Sequence, residues 1–266
     1  MKKLIAIFLC ALLITAAVAC TDKKPETSGK VDEEQNAEAG TNLPETEPID
    51  RPELESKDDF TGIMAGGWQV AYEPELTDET KAIFAKALDG LVGVDYEPIA
   101  CLGTQVVAGT NYCFLAKATV VYPGAQPTYV LVYVYQDLEG NATIMNFADM
   151  PVVPNDDGTA EPIPAGETLD GGWAYAESPE ITDEIRRKFS DALVSYGYLA
   201  VYEPIANLGT QVVAGLNRCI LVRFTERTPD AVPQYRLFYV YEKLDGSAEI
   251  INVIDFNIGE LCTYGA

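Results

Sequence analysis

Residues 103–109 read Gly-Thr-Gln-Val-Val-Ala-Gly, and residues 209–215 read the same string again. Each copy follows Tyr-Glu-Pro-Ile-Ala, at 96–100 and 202–206, and each lies a similar distance after a Gly-Gly-Trp, at 66–68 and 171–173. Trp68 and Trp173 are 105 positions apart; from Tyr96 and Tyr202 onward, through Gln105/Gln211, Tyr133/Tyr239 and Gly140/Gly246, the spacing is 106, so one residue entered after the first helical segment. A unit of about 90 ordered residues can bury a core of its own, which makes this a duplicated domain and not a short solenoid repeat.

Outside the repeats, Met1-Lys2-Lys3 is a basic start, residues 4–14 are an uncharged apolar run, and Ala17-Val18-Ala19 is a small-residue site before Cys20. The run is too short to span a bilayer, so residues 1–19 read as a cleaved secretory signal. Residues 17–20 resemble a bacterial lipobox, which implies a mature chain acylated on Cys20 and held at an extracytoplasmic membrane face by lipid. Residues 20–59 are rich in Glu, Asp, Pro, Thr and Lys with few large apolar side chains, and read as a disordered acidic tether. Such a tether spans roughly 30 to 40 Å on average. The net charge of −23 argues against nucleic acid and against direct adhesion to anionic lipid.

Domains are expected over 60–150 and 167–266, joined by a Pro- and Gly-rich flexible linker over 151–166. In each, a short strand leads to a helix whose start is marked by Thr77-Asp78-Glu79 or Thr182-Asp183-Glu184. Ile83, Phe84, Ala87, Leu88 and Leu91, and then Ile185, Phe189, Ala192, Leu193 and Tyr196, recur at helical spacing. The rest alternates as antiparallel strand, with Gly-containing turns at 138–141 and 244–247. The expected fold is α+β: two tandem domains, each one helix packed across an antiparallel sheet of four to five strands. Trp68 and Trp173 are expected in the core, and the tyrosines of 129–135 on the sheet surface with their hydroxyls in water. Cys101 and Cys113 lie symmetrically about Val107 and could face each other as a disulfide; Cys219 has either Cys262 or no partner.

The loop, the glycine pair before the helix and the later Leu-x-Gly turn together resemble the cystatin superfamily, and among its members the stefins. The family's Gln-x-Val-x-Gly loop is matched by Gln105, Val107 and Gly109 and by Gln211, Val213 and Gly215. The resemblance implies two cystatin-like domains that inhibit papain-like cysteine proteases by plugging the active-site cleft with a three-part wedge. In the first domain the wedge would comprise Gly66 and Gly67, then Gln105, Val106, Val107, Ala108 and Gly109, then Leu138, Glu139 and Gly140. In the second it would comprise Gly171 and Gly172, then Gln211, Val212, Val213, Ala214 and Gly215, then Leu244, Asp245 and Gly246. Adjacent valines at a solvent-facing turn suit a partner better than water. Just before the glycines stand Met64 and Ala65 in one copy and Leu169 and Asp170 in the other, so the first domain is expected to bind more tightly.

The chain contains no histidine, which removes Ser-His and Cys-His dyads and the common zinc sites. Neither an enzyme nor a metal or cofactor protein is expected, and the chain is expected to be a monomer. The second functional reading is a non-inhibitory surface binding or adhesion module that keeps the scaffold for another ligand.

Overall fold

The computed structural model describes residues 66–164, 171–197 and 200–262. The expected signal, the tether, Cys20, Met64, Ala65, Leu169 and Asp170 lie outside the described residues. Among the described residues no helix is long and apolar enough to cross a membrane.

The first repeat runs β1 (Trp68–Val70), α1 (Asp78–Ala87), β2 (Val94–Val107), β3 (Gly109–Val120), β4 (Thr128–Gln136) and β5 (Ala142–Asp149). A two-stranded hairpin, β6 (Val153–Pro154) and β7 (Ala160–Glu161), occupies the expected linker. The second repeat runs β8 (Trp173–Tyr175), α2 (Asp183–Tyr196), β9 (Ala200–Val213), β10 (Gly215–Glu226), β11 (Gln234–Lys243) and β12 (Ala248–Phe256). Each repeat forms a five-stranded antiparallel meander in chain order. The helices start where their caps require. Thr77 Oγ1 accepts from Thr80 N at 3.1 Å while Thr80 Oγ1 accepts from Thr77 N at 3.0 Å, and Thr182 Oγ1 accepts from Ile185 N at 3.3 Å. Helix α1 stops before Asp89-Gly90, so Leu91, expected on its apolar stripe, is left exposed beyond its end.

The expectation of two tandem helix-on-sheet domains is not met. Strand makes up 50% of the described residues and helix 13%, in three sheets, and both repeats belong to one compact unit. The helices cover only the outer faces. Ile83 and Phe84 pack with Phe114, Val130, Val132 and Val134; Ile185, Phe189, Ala192 and Leu193 pack with Ile220, Val222, Phe238 and Val240. The opposite faces share the largest core, in which Leu102, Cys113, Leu115, Tyr129, Leu131 and Tyr133 join Leu208, Cys219, Leu221, Tyr235, Leu237 and Tyr239. The physical reason lies in the tyrosines. Tyr129 and Tyr133, expected at the wet surface, are fully buried, and their hydroxyls donate to Ala176 O at 2.7 Å and Ile258 O at 2.5 Å, backbone groups of the other repeat. A face that carries such a stripe cannot be left to water when an identical face is available to cover it.

The strands are linked across the core by two exchanged segments. Met150 and Val152, which follow β5, are buried against the second repeat, and Phe256, the last residue of β12, and Ile258, just beyond it, against the first. Ile258 sits over Gly103 and Val152 over Gly209, where a Cβ would collide with them and, at Gly103, with the Gln69 carbonyl of the neighbouring strand. Trp68 meets Tyr133 edge-on at 5.5 Å, and Trp173 meets Tyr239 in the same way at 5.5 Å.

The two Val-Val turns lie at opposite ends of this body. Trp68 stands opposite Gln105, beside the first turn, and shares a surface groove with Gln234 and Tyr235. Gln234 pairs with Phe224, nine residues along β10 from Gly215, which is about 30 Å at the usual strand rise. Arg223 Nη1 likewise reaches Ala71 O at 3.5 Å.

The Cys101–Cys113 pair is not bridged; both thiols are free, as are Cys219 and Cys262. The turn is centred on Ala108, one residue beyond Val107, which sets Cys113 opposite Gly103, and the register shift between Cys101 and Gly103 then sets Cys101 opposite Phe114. Cys101 therefore joins the helix-side core and Cys113 the shared core.

Two expectations follow from the shared core. Residues 60–164 produced alone should self-associate through the uncovered face, which sedimentation of the fragment against the whole chain would reveal; a well-folded monomeric fragment would contradict the shared-core account. The second concerns alkali. Burial pushes the Cys101 thiol from 9.0 to about 11, the Cys219 thiol from 9.0 to about 12 and the Tyr175 hydroxyl from 10.0 to about 12, and it raises Tyr129, Tyr133, Tyr235 and Tyr239 further. These acids are neutral when folded and ionise earlier when unfolded. Their contribution is complete below pH 9 and is lost as pH rises through 11 to 12. With no histidine, thermal midpoints should be nearly flat from about pH 6 to 8 and fall steeply above about pH 9.5.

Candidate functional site

At each end of the body three separate stretches of chain converge. The first is the β2–β3 turn. Val107 pairs with Gly109 around Ala108, leaving Val106 44% and Val107 41% exposed; in the second copy Val212 is 70% and Val213 41% exposed. Gly109 has φ +125° and Gly215 φ +132°. A side chain at Gly109 would also meet Gln136 O and come within 2.9 Å of Tyr135 Cε2, so glycine is required on two counts. That close approach lets the Tyr135 hydroxyl donate to Ala108 O at 2.6 Å, and Tyr241 donates to Ala214 O at 2.6 Å.

The second stretch is the glycine pair. Gln105 does not point at solvent: its Nε2 donates to Gly66 O at 2.8 Å, its Oε1 accepts from Asn111 Nδ2 at 2.7 Å, and Gly66 N donates to Val106 O at 3.3 Å. Gln211 makes the same bridge, to Gly171 O at 2.9 Å and from Asn217 Nδ2 at 2.8 Å. The glutamine thus ties the incoming chain to the turn. Gly67 and Gly172 continue directly into Trp68 and Trp173, which pair with Gln105 and Gln211.

The third stretch is the β4–β5 turn, and its equivalent between β11 and β12. Leu138 and Leu244 are the most exposed of these residues, at 86% and 85%. Asp137 accepts from Glu139 N, Asn141 N and Asn141 Nδ2 at 2.8 to 2.9 Å, and the Asn141 bonds hold its carboxyl below the usual range. In the second copy the brace comes from Asp245, whose bonds to Ser247 lower its pKa in the same way. Glu139 and Asp245 are both exposed. A helix lysine reaches each turn: Lys86 Nζ donates to Gly140 O at 2.6 Å, and Lys188 Nζ to Gly246 O.

The structure therefore brings together, at one end, Gly66, Gly67, residues 105–109 and 138–140, and at the other Gly171, Gly172, residues 211–215 and 244–246. Sequence reasoning missed Tyr135 and Tyr241, Asn111 and Asn217, and the two lysines. The signal for the tyrosines was their identical placement just ahead of the second turn in both copies. Behind the turns the copies differ: Tyr112 donates to Gln136 Oε1 at 3.2 Å in the first, where Arg218 and Glu242 form an ion pair in the second. No protein-family model matches the chain, and no curated protein matches it.

Replacing the clamp hydroxyl tests how the turn is held. In Tyr135→Phe the Ala108 carbonyl loses a bond worth about 1 kcal/mol, so amide exchange over residues 105–111 should quicken about fivefold while the global thermal midpoint moves little. Unchanged exchange in that peptide would show that the hydroxyl does not hold the turn.

Proposed function

We propose that the protein is a reversible inhibitor of papain-like cysteine proteases, each end acting as a wedge that fills the active-site cleft. The observation that carries this reading is the convergence of three exposed stretches, with Val106, Val107 and Leu138 bared at one edge and the backbone beneath them fixed by side-chain bonds. Apolar tips suit a hydrophobic cleft, and a tip that is already ordered loses little entropy on docking. A hairpin turn that offers no scissile carbonyl to the protease thiolate blocks the enzyme without being cut. The secretory signal and Cys20 support a lipid-anchored inhibitor on the extracytoplasmic side of a bacterial membrane.

The separation of the ends favours two independent partners over two-point attachment to one. Titration of papain with purified residues 60–266 should end at about two equivalents of enzyme per inhibitor, falling to one in Val107→Asp or Val213→Asp. The double variant should weaken inhibition about a hundredfold, since each aspartate would be buried unpaired in the cleft. No inhibition of papain or a cathepsin at micromolar protein would reject the inhibitor in favour of a binding or adhesion module; inhibition that ends at one equivalent would reject only the second site.

A further inference from the structure

The repeats serve as controls for each other, and next to the first wedge they differ. A groove of about 380 Å³ opens beside Trp68, with Val70, Tyr235, Phe256 and Ile258 as its apolar walls. At the equivalent place in the second repeat Tyr175 occupies the position of Val70. Its ring packs edge-on against Tyr129 at 6.0 Å, and Ile163 from beyond the β6–β7 hairpin packs on the same core. Tyr175 and Ile163 thus bring bulk to that end, where Val70 leaves the groove beside Trp68 open. The polar rim differs too: Asn257 and Glu260 line the open groove where the other repeat has Pro151 and Pro154.

Charge and hydrogen bonding at the groove point the same way. Its lining includes two carboxylates, Asp255 and Glu260, and no cation. Asp255 is paired on one side with Arg236 at 2.7 Å but remains exposed, and among the described residues Glu260 accepts only from the neutral Asn257, at 3.2 Å. The nearby Arg223 guanidinium is held by Glu203. The buried Tyr235 hydroxyl has no hydrogen-bond partner among the described residues, whereas its counterpart Tyr129 donates to Ala176 O. Aromatic and aliphatic walls beneath an acidic rim match a cation on an apolar stem: the stem lies along the rings and the charged head meets the carboxylates.

We propose that this groove receives a lysine or arginine side chain of the protein docked on the adjoining Gln105–Gly109 end, and so gives that end a preference that the Gln211–Gly215 end lacks. The inference rests on the reading of that end as a protein-docking wedge, but its test uses no protease. In the otherwise complete chain carrying Trp173→Phe, Trp68 is the sole tryptophan and reports on the groove. Titration with N-acetyl-lysine methylamide should shift its emission saturably with a Kd of about 1 mM, and the norleucine analogue, which has the stem without the charge, should bind about tenfold more weakly. Adding Val70→Tyr, the residue type found at the filled site, should abolish the response, and Glu260→Gln, at an exposed rim position where folding is not at risk, should weaken it several-fold. A response that is absent in the parent, equal for lysine and norleucine derivatives, or retained in both variants would overturn the proposal and leave the inhibitor reading untouched.

Discussion

Everything else in this molecule depends on covering both faces of each sheet. Four tyrosine side chains, Tyr129, Tyr133, Tyr235 and Tyr239, lie between the sheets with essentially no exposure. Burying a hydroxyl costs least where it meets a partner, and Tyr129 and Tyr133 find theirs in the backbone of the opposite repeat, whereas the Tyr235 hydroxyl has none among the described residues. The bonds therefore specify a pairing as well as a burial. Sliding one sheet across the other would strand those hydroxyls and lift Ile258 and Val152 from the seats that Gly103 and Gly209 leave open.

A body locked in this way fixes where the turns go. The strands that end in the Val-Val turns are anchored along their length by the shared core on one side and a helix on the other, so the tips need only local ties. Most of those ties run from side chain to backbone: Gln105 to Gly66, Tyr135 to Ala108, Asp137 to Asn141, Lys86 to Gly140. Polar groups are spent on the backbone and apolar ones are left outside. That inverts the usual arrangement of a hairpin tip, and it is the property a docking edge needs.

The repeat, the helix caps and the turns were legible because each is written locally: threonine before Asp-Glu, glycine where the chain reverses. The second covered face was also written, but it was misread. Thr128–Gln136 carries Tyr129, Leu131 and Tyr133 on one side and Val130, Val132 and Val134 on the other, a nearly continuous apolar run of the kind that belongs to a strand buried on both faces. Reading the tyrosines by their hydroxyls hid this. The cysteine pairing failed for another reason, since a register shift between Cys101 and Gly103 changes which face a side chain takes and leaves no mark in composition. The clamp tyrosines and the bridging glutamines act through backbone atoms brought near only by folding, so spacing alone could not assign their partners.

Duplication followed by face-to-face packing resembles a two-fold dimer made within one chain, and in a true dimer the two ends must be identical. Fusion removes that requirement. The residues that hold the Val-Val turns, Gln105, Asn111 and Tyr135 with Gln211, Asn217 and Tyr241, are the same in both copies, because each wedge must be built the same way to have the same shape. Positions one step behind the wedge were free to diverge, and they did so where the consequences are confined to one end: Val70 against Tyr175, Tyr112 against Arg218, Glu260 against Pro154. The exchanged segments make this divergence cross-wired. Glu260 and Ile258 belong by sequence to the second repeat yet line the surface beside the first repeat's turn, so the character of each end is set jointly by both halves of the chain.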